Sequence, residues 1–189
     1  MTRIIAGTAG GRTLHTPRGA RTRPTTDRVR EALFSRVEAL LDLDGCAVLD
    51  LYAGSGALGL EAVSRGAAHL LSVERHKDSA RLIARNATDL GLAGVDVVTG
   101  AVVPVLAAGP GDERYHLALL DPPYPLGEDD LAEVLGLLTA WLDPDALVVV
   151  ERSSRSPQPR WPEGLVHLDT RRYGETALHL AEPDTSAST

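Results

Sequence analysis

Ala47-Val48-Leu49-Asp50-Leu51-Tyr52-Ala53-Gly54-Ser55-Gly56-Ala57-Leu58-Gly59 is the stretch on which the fold turns. Residues 47–51 form an apolar run too short for a helix, and they read as a buried strand. Gly54, Gly56 and Gly59 follow at G-x-G-x-x-G spacing. Glycines there let the chain turn tightly and let a ligand approach the backbone. An apolar helix over 58–65 then runs to Gly66. Strand, glycine turn and helix together open a βαβ unit.

The alternation continues downstream. Strands are predicted over 69–73, 95–99, 117–120 and 146–151, and helices over 77–90, 102–108 and 130–141. Gly91 stops the helix over 77–90, and Gly109-Pro110-Gly111-Asp112 makes a loop after the short one. Strands alternating with helices imply a Rossmann-like, doubly wound, mostly parallel α/β sheet. The tail changes character. A polar loop with three prolines over 153–162 precedes two strands, 165–168 and 176–181, joined around Gly174. These are expected to be antiparallel strands closing the sheet.

Upstream, Arg3-Ile4-Ile5-Ala6 and Arg12-Thr13-Leu14-His15 flank Gly7-Thr8-Ala9-Gly10-Gly11 and predict a hairpin. A basic loop over 16–25 leads to a helix capped by Thr25 or Thr26, with Val29, Leu33, Val37, Leu40 and Leu41 as its apolar stripe. The expected organisation is a basic hairpin and loop over 1–25, an α/β domain over 26–182 and a flexible tail over 183–189.

The glycine loop has two readings. Glu74 lies twenty residues after Gly54, so the loop and Glu74 match a dinucleotide fingerprint. Asp50, at the strand end four residues before Gly54, argues for a different ligand. A carboxylate there repels a pyrophosphate and attracts an ammonium group. S-adenosylmethionine carries an ammonium and a sulfonium and no phosphate. Glu74 then accepts from ribose hydroxyls, and Gly100-Ala101, after the third strand of the alternation, reaches the adenine edge. Tyr52 and Arg75, neighbours of the loop and of Glu74, complete the expected cofactor set with Ser55, Gly56 and Asp121.

Asp121-Pro122-Pro123-Tyr124 ends the fourth strand of the alternation. Two prolines have no N–H and a fixed φ, so the strand stops there. A carboxylate, a stiff carbonyl-bearing turn and an aromatic ring gather where parallel sheets bind ligands. This is a cradle for the exocyclic amino group of a flat base, with Asp121, Pro122, Pro123 and Tyr124 as its catalytic residues.

Net charge is −7 over 189 residues, which by itself speaks against a nucleic-acid partner. The distribution reverses that. Residues 1–36 hold eight arginines against Asp27 and Glu31, a local +6 on a remainder of −13. Arg3, Arg12, Arg18, Arg21, Arg23, Arg28 and Arg30 are the expected phosphate contacts, and arginine favours bidentate ones. Arg152, Arg155 and Arg160 read either as an extension of that basic surface or as a solvated loop.

Asp50, Gly54-Ser55-Gly56, Glu74 and Asp121-Pro122-Pro123-Tyr124 together resemble the class I S-adenosylmethionine-dependent methyltransferases. The tetrad resembles those acting on exocyclic nitrogens. Arg3-Ile4-Ile5-Ala6-Gly7, Gly11-Arg12, the run from Arg23 to Glu31 and the run from Ala53 to Ala62 resemble the bacterial 16S rRNA (guanine966-N2)-methyltransferase family. The resemblance covers roughly residues 3–181. It implies methyl transfer to N2 of one guanine in 16S rRNA, within the small ribosomal subunit or its assembly intermediate. From the residues alone the same tetrad serves adenine N6 or cytosine N4, and the glycine loop leaves a nicotinamide-dependent oxidoreductase and a non-catalytic RNA-binding module in play.

Other features bound the class. No apolar run approaches the ~18 residues of a membrane span. Residues 1–5 lack the apolar segment of a signal peptide, so a cytoplasmic protein, acting as a monomer, is expected. Cys46 is the sole cysteine, which rules out an internal disulfide and a clustered-cysteine zinc site. His69 and His76 show no metal-ligand spacing, and no metal is expected.

Overall fold

A computed structural model describes residues 2–16 and 27–187. Its nine strands and five helices, among the described residues, follow the predicted alternation. β1 (Thr2–Arg3) and β2 (Thr13–Leu14) pair antiparallel; α1 (Asp27–Glu38) follows. Then come β3 (Ala47–Leu51), α2 (Ala57–Ser64), β4 (His69–Glu74), α3 (Lys77–Leu90), β5 (Val95–Thr99) and α4 (Val102–Ala107). β6 (Tyr115–Leu120), α5 (Glu128–Leu138), β7 (Leu142–Ser153), β8 (Leu165–Tyr173) and β9 (Thr176–Pro183) complete the chain.

The main sheet has the order β5-β4-β3-β6-β7-β9-β8. Pairing is parallel from β5 through β7, and antiparallel for β7 with β9 and for β9 with β8. The strands are continuous apolar runs because both sheet faces are covered, yet alternate residues still go to opposite sides. Val48, Leu117, Leu119 and Val149 pack in one cluster with α1, α2 and α3; Leu49, Ala118, Leu120, Val148 and Val150 pack in the other with α4 and α5.

The N-terminal hairpin is bolted to α2. Ile4 is fully buried in the first cluster. The Ile5 and Ala6 N–H groups donate to the Glu61 carboxylate at 2.7 and 3.0 Å. Thr8 N–H donates to Ser64 O at 2.7 Å. Gly7 has φ +81°, and a Cβ there would lie 1.8 Å from Ser64 O, so the turn needs glycine for both reasons.

Several expected boundaries move. α1 ends at Glu38, so Leu40 falls beyond it and is exposed, while Phe34, outside the predicted stripe, is fully buried. β7 and β8 are longer than predicted: the start of β7 pairs with β6 and its second half with β9, and β8 pairs with β9 along its length. The predicted helix over 130–141 starts two residues earlier and finishes as a 3₁₀ turn over Thr139–Trp141. β9 runs on past 181 to Pro183, one residue into the expected tail. The predicted Thr25 or Thr26 cap lies outside the described residues. Cys46 is buried, its thiol donating to Asp42 O at 2.9 Å. No helix among the described residues is long and apolar enough to cross a membrane.

Candidate active site

Register brings the site together. Asp50 pairs with Leu119 and Leu51 with Leu120, so Tyr52 and Asp121 leave adjacent strand ends. On the other side Leu51 pairs with Val73, and Glu74 with Thr99. β3 has β4 on one side and β6 on the other, so successive connections diverge from it and open a crevice at the C-terminal edge. Four segments that follow strand ends reach that crevice, the glycine loop after β3, Glu74 to His76, Gly100 to Val103, and Asp121 to Leu126, and Thr2 and Arg30 reach it from the hairpin and α1.

Two adjoining cavities lie there. One, of about 410 Å³, is lined by Asp50, Gly54, Ser55 and all four tetrad residues. The other, of about 340 Å³, is lined by Glu74, Arg75, Gly100 and Ala101. Tyr52, Asp121 and Pro123 line both and form the shared wall. Of the predicted tetrad, Pro122 is buried, whereas Tyr124 is 63% exposed.

Asp50 is 1% exposed, and its Oδ2 accepts from the Gly59 N–H at 3.0 Å. Burial pushes its carboxyl up to about 7; Asp121 and Glu74 push the same way, and the Gly59 bond opposes them. Glu74 Oε2 accepts from Gly54 N–H at 2.9 Å and Oε1 from His76 N–H at 2.7 Å. The acid thus braces the glycine loop, while each oxygen keeps a second lone pair for a ligand. Gly100 N–H donates to Glu74 O at 3.0 Å, which places the turn after β5 beside it.

The loop itself is strained at one residue. Tyr52 has φ +64°, uncommon for a bulky side chain and of order 1–3 kcal/mol unfavourable. Its burial pushes the phenol up to about 12, so it stays protonated. Gly54 (φ +58°) and Gly56 (φ +79°) continue the left-handed turn.

Two predicted site residues have other roles. Gly56 lines neither cavity. It caps α2, and a Cβ on it would lie 3.0 Å from the Ile83 side chain, so packing demands it rather than a ligand. Arg30 is 2% exposed, donates to Arg3 O and Asp27, lies 3.8 Å from Glu61, and lines the first cavity. It is therefore corrected from an outer phosphate contact to an inner wall residue, buried because α1 packs that face against α2. Arg12 caps the end of α3, donating to Leu90 O and Asp89 O. Arg3 pairs with Asp27 at 2.9 Å but is half exposed, and Arg28 is exposed. Arg18, Arg21 and Arg23 lie outside the described residues.

Thr2, His76, Val103 and Leu126 also line the cavities and were not predicted. The start of α4 directly after Ala101 was the signal for Val103. Thr2 had none, because only tertiary packing carries the hairpin to the crevice.

The donor set fits a cationic ligand that contains a nucleoside. Asp121 and Glu74 already raise the proton affinity of Asp50, and a diphosphate would add to that repulsion. Among the described residues no cluster of acids, histidines or cysteine suits a metal ion.

Comparison with known proteins agrees with this geometry. A family model described as Conserved hypothetical protein 95 matches residues 2–182. Ribosomal RNA small subunit methyltransferase D of Escherichia coli K12 is 36% identical over 180 residues, covering 94% of this chain and 88% of the relative. Its namesake in Haemophilus influenzae is 33% identical over the same length, covering 94% of this chain and 92% of the relative. The solved structure of a hypothetical protein from Thermus thermophilus superposes with a TM-score of 0.80 at 34% identity, covering 96% of this chain and 99% of that one.

Proposed function

The chain belongs to the family described as Conserved hypothetical protein 95, among relatives named ribosomal RNA small subunit methyltransferase D, and from that footing we propose that it methylates the exocyclic N2 of one guanine in 16S rRNA, G966 by family resemblance, using S-adenosylmethionine. The observation that carries this reading is the shared wall: Tyr52, Asp121 and Pro123 face both the cavity of the amino-group cradle and the cavity of Glu74.

S-adenosylmethionine supplies, when bound, an electrophilic methyl group on a sulfonium centre. Asp50 would hold its amino-acid end, and Glu74, Arg75, Gly100 and Ala101 its nucleoside end. Asp121 and the Pro122 carbonyl accept hydrogen bonds from the amino protons of the base. Those bonds favour a pyramidal nitrogen, whose lone pair is otherwise delocalised into the ring. As positive charge develops on nitrogen, the Asp121 carboxylate stabilises it, a preorganised electrostatic effect. Asp121 would also accept the proton that N2 then sheds. Tyr124 stacks on the base, which must be unpaired or flipped out to enter.

The rRNA is gripped through the exposed arginines of the N-terminal region. Arg3 releases Asp27 for a phosphate at little cost, since an exposed ion pair is worth roughly 0–1 kcal/mol. The deciding experiment is mass mapping of methylated nucleotides in small-subunit rRNA from cells with and without this protein. Loss of a single N2-methylguanine supports the proposal. Loss of an N6-methyladenine or N4-methylcytosine instead, or no change, overturns it.

A further inference from the structure

We propose that Arg152 is a positioning residue for the reaction, anchoring the far end of the Asp121–Leu126 segment; this rests on the methyl-transfer reading above. Arg152 lies near the end of β7 and is 7% exposed. Both its Nη1 and Nη2 donate to Leu126 O at 3.2 Å, and Nη2 also donates to the Glu128 carboxylate in the first turn of α5. A buried guanidinium is retained only where partners meet its charge and its donors. Here the partners of Nη1 and Nη2 belong to one short stretch of chain, while the buried Nε has no hydrogen-bond partner among the described residues.

That stretch needs an outside anchor. Asp121 is held because it leaves β6, a strand paired on both sides. Beyond it, Pro122, Pro123 and Pro125 have no N–H to donate, so the segment has few means of fixing itself. Within it, Leu126 N–H donates to Pro123 O at 2.9 Å, which closes the turn. Arg152 ties the segment's far end to the strand next to β6. Pro125 lines the first cavity, Leu126 the second and Pro123 both, so the position of this turn sets the shape of the whole crevice. The fork of an arginine fits a carbonyl and a carboxylate together, which a lysine point charge does not.

The two sequence readings of Arg152 as a basic RNA contact or a solvated loop residue are both displaced, because its side chain is turned inward. The test compares full-length wild type with Arg152→Met and Arg152→Lys. In the free protein, hydrogen exchange of a peptide spanning Leu126 should be faster in both variants and fastest in Arg152→Met, with peptides of β3 unchanged. With small-subunit RNA, kcat should fall about 10- to 100-fold in Arg152→Met, the range expected of ångström-scale misplacement, and less in Arg152→Lys. KM for RNA and its salt dependence should hold. Unchanged exchange at Leu126 overturns the anchor. A raised KM for RNA with the log–log salt slope reduced by about 1 overturns it in favour of a phosphate contact. If wild type transfers no methyl group at all, the functional reading fails, and the exchange result still judges the anchor.

Discussion

The Gly59 N–H donates to Asp50 Oδ2 at 3.0 Å, and a Cβ built on Gly59 would stand 2.9 Å from that same oxygen. It would also lie 2.7 Å from the Leu70 side chain. The third glycine of the loop therefore serves α2 and the buried acid, not the ligand directly. Gly59→Ala should destabilise the protein by about 1–3 kcal/mol, as overpacking does. Thermal unfolding checks this, and an unchanged melting temperature would mean that α2 can shift away from β3.

Asp50 sets a pH dependence. Its folded pKa, about 7, exceeds the ordinary 3.8, so the folded state binds more protons than the unfolded one between these values. Its contribution to stability is accordingly full below pH ~4 and falls as pH rises towards 7. His179, lowered by burial from 6.5 to about 4, acts oppositely over most of that window, stability rising with pH between those two values. Ligand affinity separates the two. Binding of S-adenosylmethionine, measured by calorimetry, should tighten from pH 6 to pH 8 as Asp50 ionises, and Asp50→Asn should bind weakly with a flat profile. An identical slope in the variant would assign the dependence to another group.

Glu61 is fully buried and accepts from Ile5 N–H, Ala6 N–H and, at 2.8 Å, Arg65 Nε. Glu61→Ala strands two backbone donors and leaves Arg30 with Asp27 and Arg65 with Glu38 as carboxylate partners, and removal of one partner of a buried pair costs ~3–5 kcal/mol. Hydrogen exchange at residues 4–6 should accelerate along with the drop in melting temperature. Protection retained at those amides would show that Ile4 packing and the Ser64 bonds hold the hairpin without Glu61.

The tetrad residues should separate by function. Asp121→Ala is expected to lower methyl transfer about 10²- to 10³-fold, as loss of a single preorganised electrostatic group does. Binding of the methyl donor should persist. Tyr124→Ala should weaken productive RNA engagement by roughly 1–3 kcal/mol, and Tyr124→Phe should restore most of it, since stacking needs the ring and not the hydroxyl. Steady-state kinetics on small-subunit RNA measure both; equal effects in Tyr124→Phe and Tyr124→Ala would point to the hydroxyl instead.

Local chemistry made much of this legible. The place of Asp50, Glu74 and Asp121 at the crevice was readable because each lies within one residue of a strand's C-terminal end, and a parallel sheet collects strand ends on one edge. Arg30, Arg152 and Gly56 were not, because exposure is not a local property. Arg30 repeats the spacing of its basic neighbours yet falls on the face of α1 that meets Glu61. Arg152 sits two residues past Val150, on a strand whose partners on either side were unknown from sequence.

By itself, then, the order of residues determined the alternation of strands and helices, the glycine turn and the proline stop, all of which depend on backbone freedom and side-chain period within a few residues. The tertiary structure alone decided which arginines face water and which are locked inside. It also decided that a hairpin from the first sixteen residues contributes Thr2 to the site, and that the proline turn is held by a guanidinium from β7. Those outcomes depend on contacts between residues far apart in the chain, whose energies arise only when the sheet has chosen its order.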